Sequence, residues 1–139
     1  MFSVRKTKPT MKKEIPNIGT LEFFPEEKIM RIDYAKGIII DENVINRVID
    51  EAIKLAGDSR FALLINTKDI LYVTKEARQI SATKEVDKII ASATLVSNTV
   101  QKEIFNLYIN FSRPLYPVRA FNNEEKALEW LKEQVKRLD

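Results

Sequence analysis

The segment from Phe61 to Arg78 constrains the fold more than any other part of the sequence. It begins with a run of apolar residues, 61–65, a pattern that predicts a strand buried on both faces. The chain then turns polar at 66–69 and restarts as a helix near Thr74. Open α/β folds bind ligands where a buried strand ends in a loop and a helix begins, so we expect any functional site to lie here.

The rest of the sequence predicts the element order β-β-α-β-α-β-α-β-α. A short turn at 25–27 joins the first two strands, which makes them antiparallel. Helices separate the later strands, which indicates right-handed crossovers between parallel strands. The predicted fold is α/β, with a mixed, mostly parallel five-stranded sheet, an antiparallel N-terminal strand and four helices. The predicted strands cover 19–24, 28–34, 60–65, 88–96 and 116–121, and the first two predicted helices cover 42–56 and 74 to about 84. The third follows caps at 97–99 and stops before Pro114, and the last is capped by Asn122 or Asn123.

Two helices carry the clearest local signals. The first lies between Asp41, a good N-cap, and Gly57, a good left-handed C-terminal residue. The third ends before Pro114 and has one apolar face. That face is formed by Val100, Ile104, Leu107, Tyr108 and Phe111.

The composition excludes most ordinary catalytic chemistry. There is no Cys and no His, so disulfides, thiolate nucleophiles and the commonest general base and metal ligand are excluded. The glycines Gly19, Gly37 and Gly57 are far apart, so there is no glycine-rich phosphate loop. The sequence therefore predicts a non-enzymatic protein without a cofactor or a metal site.

The net charge of +3 is unevenly distributed along the chain. Residues 1–13 contain five basic residues and no acid, so the remainder carries a net charge of −2. We interpret 1–17 as a basic N-terminal arm and 18–139 as a single domain. Because that domain is slightly acidic, no nucleic-acid partner is predicted. No apolar run approaches the ~20 residues of a membrane span, and the first residues lack the apolar core of a secretory signal, so a cytoplasmic protein is predicted.

The sequence resembles a small uncharacterised family of bacterial STAS-like (SpoIIAA-like) domains over residues 18–135. The similarity rests on three stretches, FALLINTKDILYVTKEAR, RPLYPVRAF and FNNEEKALEWLKE. The resemblance implies the fold of the anti-sigma-factor antagonists, which carry a phosphorylatable Ser in an Asp-Ser-Ser-Gly type motif after the central strand. Here the corresponding residues, 72–76, are Tyr-Val-Thr-Lys-Glu, and that motif is absent.

Thr74 is the one hydroxyl near the position of that serine. A phosphate on Thr74 would lie at a helix N-terminus, near Lys75 and Arg78. The alternative is an ordinary N-cap, whose hydroxyl accepts one backbone N–H. Arg78 could bind a phosphate or carboxylate, or it could pair with Asp69 or Glu76 and order the loop.

A second candidate site is a small polar crevice at the carboxyl edge of the predicted sheet. It would bind an anion or the backbone of a partner. The alternative is turn chemistry, in which Asn and Asp side chains bond their own backbone. The candidate residues are Asn66, Thr67, Lys68, Asp69, Asn98 and Thr99.

Three functions are compatible with these observations. The first is a non-enzymatic interaction domain that binds a protein partner or a second copy of itself through residues 66–78. The second is a module that binds a small molecule or lipid, because lipid-transfer domains share the STAS topology; it requires an apolar pocket. The third is an enzyme that uses Lys75, Asp69 or Thr74, and it is the least supported because no acid–base pair is visible.

Overall fold

A computed structural model describes residues 10–83, 86–112 and 114–138, without the side chains of Ala82 and residues 110–112. The strands are β1 (Met11–Ile15), β2 (Gly19–Phe24), β3 (Ile29–Tyr34), β4 (Ile39–Ile40), β5 (Phe61–Asn66), β6 (Tyr72–Val73), β7 (Ile89–Leu95) and β8 (Val118–Phe121). The helices are α1 (Glu42–Ala56), α2 (Lys75–Thr83), α3 (Thr99–Ser112) and α4 (Glu124–Lys136).

The described strands form one main sheet in the order β1-β2-β3-β5-β7-β8 and a small pair of β4 with β6. The strands β1, β2 and β3 are antiparallel neighbours, and β3, β5, β7 and β8 are parallel neighbours. The predicted class, a mixed and mostly parallel α/β fold with four helices, is confirmed. The main sheet has six strands among the described residues, one more than predicted.

The additional strand corrects the interpretation of residues 1–17 as an arm. Met11–Ile15 pair with β2 as an edge strand, while residues 1–9 lie outside the described residues. Ile15 is buried, but the rest of the strand is exposed. A charged edge strand has the same composition as a solvated tail, so the sequence alone did not distinguish the two. Lys13 forms an ion pair with Glu51 of α1, and this contact lowers the pKa of the Glu51 carboxyl.

The pair of β4 and β6 was also not predicted, because two residues are too few to show a periodicity. Its backbone bonds join the loop after β3 to the loop after β5. The Gly37 N–H donates to the carbonyl of Asp69, and the Leu71 N–H donates to the carbonyl of Ile38, both at 2.8 Å. These bonds add a short stretch of paired backbone beside the carboxyl edge of the main sheet.

The two faces of the sheet carry separate apolar cores, and β5 contributes to both. On one face Phe61 meets Phe23 edge to face, with ring centroids 6.4 Å apart, beneath α1. On the other face Leu64 belongs to the same core as Leu131 of α4. This arrangement confirms that the apolar run 61–65 is a strand buried on both sides.

The predicted ends of α1 are confirmed. Asp41 Oδ1 accepts the Val44 N–H at 2.9 Å, which satisfies one of the unpaired donors of the first turn. Gly57 ends the helix with a φ of 62°, a conformation that residues with a Cβ rarely adopt. The helix therefore has a fixed start and a fixed end over the face that carries Phe61.

The apolar face of α3 does not pack into the sheet. Val100, Ile104 and Leu107 are 68%, 63% and 60% exposed. The helix is instead held by the Asn106 amide, which accepts the Ala120 N–H at 2.7 Å and donates to the Ala120 carbonyl at 3.2 Å. Asn106 thus satisfies backbone groups on the edge strand β8, and Val100, Ile104 and Leu107 form an apolar stripe on α3 that is mostly exposed. The side chain of Phe111, the last residue of the predicted face, lies outside the described residues.

Candidate functional site

The polar residues that follow β5 stabilise the loop itself. Asn66 Nδ2 donates to Asp33 Oδ1 at 2.9 Å, and Asn66 Oδ1 accepts the Lys68 N–H at 3.1 Å. The Thr67 hydroxyl donates to the carbonyl of Leu95 at 2.8 Å. The contact between Asn66 and Lys68 is the turn chemistry that was the alternative to a polar crevice, and the other two contacts tie the loop to β3 and β7.

The start of α3 is organised in the same way. Asn98 Oδ1 accepts a backbone N–H of the first turn at 2.9 Å. Asn122 Nδ2 donates to Thr99 Oγ1 at 3.0 Å, and the Ser97 hydroxyl donates to the Lys68 carbonyl at 3.1 Å. The last contact places the loop after β5 against the loop after β7, as expected for neighbouring parallel strands.

Thr74 has the geometry of an ordinary N-cap. Its Oγ1 accepts a backbone N–H of the first turn of α2 at 3.1 Å. Arg78 Nη1 donates to the Val73 carbonyl at 2.8 Å, and among the described residues it forms no ion pair with Asp69 or Glu76. The loop is therefore ordered by the backbone contact of Arg78. Phosphorylation of Thr74 stays a prediction.

An apolar cavity of about 730 Å³ lies beside this loop. It lies between one face of the main sheet and the helices α1, α2 and α3, with β4 and β6 at one side. Its floor is the sheet face that carries Phe61, and its walls come from the helices. Representative apolar lining residues are Ile32, Leu63 and Ile65 of the sheet, Ile49 of α1, Ile80 of α2 and Phe105 of α3.

The cavity opens to solvent between β6 and α3. Leu71, Tyr72 and Ile104 line it and are 64%, 52% and 63% exposed. Because large apolar side chains surround the opening, a molecule entering there meets an apolar surface before it reaches the interior.

A few polar groups are distributed along the otherwise apolar lining. The hydroxyls of Ser92 and Thr94 on the buried strand β7 have no hydrogen-bond partner among the described residues. Tyr34 and Tyr116 also line the cavity, and burial raises the pKa of both phenols above the usual range. A phenol O–H can donate one hydrogen bond, so both side chains bring a donor to the lining.

The predicted site residues separate into two groups around this cavity. Thr67 and Arg78, together with Lys68, line it. The structure assigns the others to caps, turns or exposed positions outside the lining: Asn66, Asp69, Thr74, Lys75, Asn98 and Thr99.

The cavity itself was not predicted from the sequence. Two signals were present in the sequence, namely hydroxyls at Ser92 and Thr94 within an otherwise apolar strand and an apolar stripe on the third helix. Neither signal shows that α3 stands away from the sheet.

Sequence comparison decides the family. A family model described as a domain of unknown function, DUF7793, matches residues 23–135. The chain belongs to this family. No curated protein matches the sequence.

The DUF7793 domain is similar in structure to an uncharacterised protein of the DUF3478 family with a SpoIIAA-like fold from Shewanella loihica PV-4. The two chains are 10% identical, the match covers 94% of this chain and 98% of that chain, and the TM-score is 0.56. The predicted SpoIIAA-like fold is thereby confirmed, and at this identity the similarity concerns the fold alone. Within the described part of the chain, no helix has the length and apolar character needed to cross a bilayer.

Proposed function

We propose that this DUF7793 domain is a non-enzymatic binding module whose cavity holds an apolar small molecule or a lipid. The observation that carries the proposal is the size of the apolar cavity, about 730 Å³. Protein interiors are close-packed and contain few voids larger than a water molecule. Pockets for small ligands enclose roughly 300–1,000 Å³, so this cavity has the volume of a binding site rather than of a packing defect.

The lining residues favour binding over catalysis. Among the described residues that line the cavity there is no Asp or Glu, and the whole sequence has no His or Cys. The titratable groups that do line it are phenols, Lys68 and Arg78. A pair consisting of a general acid and a general base is therefore not available along this lining.

The proposal predicts that a bulky side chain on the cavity floor excludes an apolar probe. Thr94→Phe places an aromatic ring in the cavity from a strand position that suits aromatic residues. We expect the dissociation constant for Nile red, a neutral apolar dye, to rise about tenfold or more, because each 1.4 kcal/mol of lost contact is a factor of ten. Fluorescence titration measures the constant, and thermal unfolding reports whether the variant is folded.

Lys132→Phe is the matched control, because Lys132 is exposed on α4, which packs on the opposite face of the sheet. It adds the same ring outside the cavity and should leave the titration unchanged. Native mass spectrometry of freshly purified protein is the independent measurement, with a bound apolar molecule as the expected result. Absence of any bound molecule together with absence of Nile red binding would contradict the proposal.

A second candidate function is self-association through the apolar stripe of α3, with a protein partner as the alternative occupant. The specific observation is the exposure of Val100, Ile104 and Leu107 on one helix face. Contiguous exposed apolar surface on a soluble domain commonly marks an interface. A second copy would cover the stripe through an isologous contact, the commonest arrangement in homodimers.

Leu107→Glu tests this candidate without altering the cavity, since Leu107 is outside its lining. We expect the dissociation constant of the native dimer to rise at least about tenfold in the variant, because a buried carboxylate without a partner costs several kcal/mol. Analytical ultracentrifugation over a range of concentrations measures the shift. Leu138→Glu, at a residue 49% exposed beyond α4, is the control. A native protein that stays monomeric at all concentrations would exclude the homodimer.

The cytoplasmic location stays a prediction from the sequence.

A further inference from the structure

The charged side chains of the cavity have one sign. Among the described residues that line it, Lys68 and Arg78 are the charged ones, and neither forms an ion pair with a described residue. Lys68 follows β5, and Arg78 follows β6 in the first turn of α2. Both cations therefore lie on connections that leave the carboxyl ends of strands.

Hydrogen-bond donors accompany these cations at the same edge. Tyr34 is the last residue of β3, and β3 runs parallel to β5 with Asp33 opposite Asn66, so Tyr34 ends where the loop of Lys68 begins. The Tyr34 side chain lines the cavity, and its hydroxyl has no partner among the described residues. This end of the cavity therefore presents positive charge and a free donor.

The floor away from this edge is apolar. Phe61 and Leu63 line the cavity from the first half of β5, and Ile89 lines it from the start of β7. A ligand that satisfies both ends needs a negative group for the cations and an extended apolar part for the floor. A neutral oil would offer no negative charge to Lys68 or to Arg78, which donates to the Val73 carbonyl, and a small anion would leave the apolar floor without a ligand.

We propose that the cavity binds a single-chain amphiphile with an anionic head, either carboxylate or phosphate, whose head contacts Lys68 and Arg78 and whose chain lies along β5 and β7. The inference rests on the proposed function, because it specifies the class of ligand for the same cavity. The charge-assisted contacts orient the molecule, and the floor supplies the contact area.

Three probes with one chain and different heads test this assignment: oleate, oleyl phosphate and oleyl alcohol. Each is titrated against the full chain by displacement of Nile red, below its critical micelle concentration. We expect the native protein to bind an anionic probe at least about tenfold tighter than the alcohol, because hydrogen bonds to charged groups are stronger than those between neutral groups. The ratio between oleate and oleyl phosphate distinguishes the two heads.

The variant Lys68→Gln/Arg78→Gln should lose this preference, so that within the variant the ratio of anion affinity to alcohol affinity falls to about one. The control Lys132→Gln/Lys136→Gln removes the same charge from the exposed face of α4 and should keep the preference. Equal binding of the alcohol and the anions by the native protein would overturn the anionic head and leave the apolar cavity standing. Failure of all three probes to bind would overturn the proposed function as well.

Discussion

Phe61→Ala is expected to lower the free energy of unfolding by about 3–5 kcal/mol. Phe61 is 1% exposed and packs edge to face against Phe23 with ring centroids 6.4 Å apart. Its removal loses the transfer free energy of the ring, the aromatic pair and the packing of the strand that joins the two cores. Because the free energy of unfolding of small domains is about 5–15 kcal/mol, the variant would retain only part of its stability.

Urea denaturation followed by circular dichroism measures the change. If the free energy of unfolding falls with urea concentration at the same slope in both proteins, the unfolded state is unchanged. Leu71→Ala is the control, since Leu71 is 64% exposed at the cavity opening and should change the free energy of unfolding by less than about 0.5 kcal/mol. A similar loss in both variants would contradict the central position of β5. It would also remove the basis for a cavity floor built on Phe61.

Phe61 also shows why the centre of the fold was predictable. A run of apolar residues between polar ones has few stable arrangements, and a strand buried on both faces is one of them. The caps Asp41 and Thr74 were predictable for a similar reason, because each signal lies within a few residues of the backbone donor that it satisfies. Local chemistry of this kind needs no knowledge of the tertiary structure.

The features that were not predicted depend on distant contacts. Met11–Ile15 form a strand only because β2 is available to pair with them. Lys13 forms an ion pair with Glu51, which lies on a helix far along the chain. The stripe on α3 was visible in the sequence, but its exposure follows from the attachment of Asn106 to β8. Periodicity shows which side chains share a face, whereas the neighbour of that face is decided by the whole fold.

The candidate site shows the same difference between features set by local contacts and features set by distant ones. Asn66, Asn98 and Thr74 were predicted near the carboxyl edge of the sheet, and the structure assigns them to turns and caps there. The cavity beside them is the space left between α1, α2, α3 and the sheet. Its existence therefore depends on how far apart the helices pack. Polar residues in loops identify the edge at which ligands bind, but the volume of a pocket follows from tertiary packing.

Gly19→Ala is expected to be among the most destabilising single changes to the backbone of this domain, at about 3 kcal/mol or more. Gly19 has a φ of 154°, and a Cβ built on it would lie 2.2 Å from the carbonyl oxygen of Asp33. The atom it meets is backbone within the pairing of β2 with β3, so relief requires a shift of a strand rather than of a flexible side chain. Asp33 is also held by Arg31, at 2.8 Å, and by Asn66, which opposes such a shift.

Gly37→Ala separates this steric clash from the cost of a left-handed conformation. Gly37 has a φ of 76°, and a Cβ at this position would have nothing within 4 Å, so only the conformational cost of about 1–2 kcal/mol applies. Thermal unfolding should show a loss of roughly 10 °C or more for Gly19→Ala and about half of that for Gly37→Ala, since 1 kcal/mol shifts the Tm of a domain of this size by a few degrees. If Gly19→Ala accumulates in inclusion bodies while Gly37→Ala is recovered folded, the same order holds. Equal shifts in the two variants would mean that β3 moves away from β2 at little cost, and that the carboxyl edge of the sheet, where Tyr34 meets the cavity, is less rigid than the contacts of Asp33 imply.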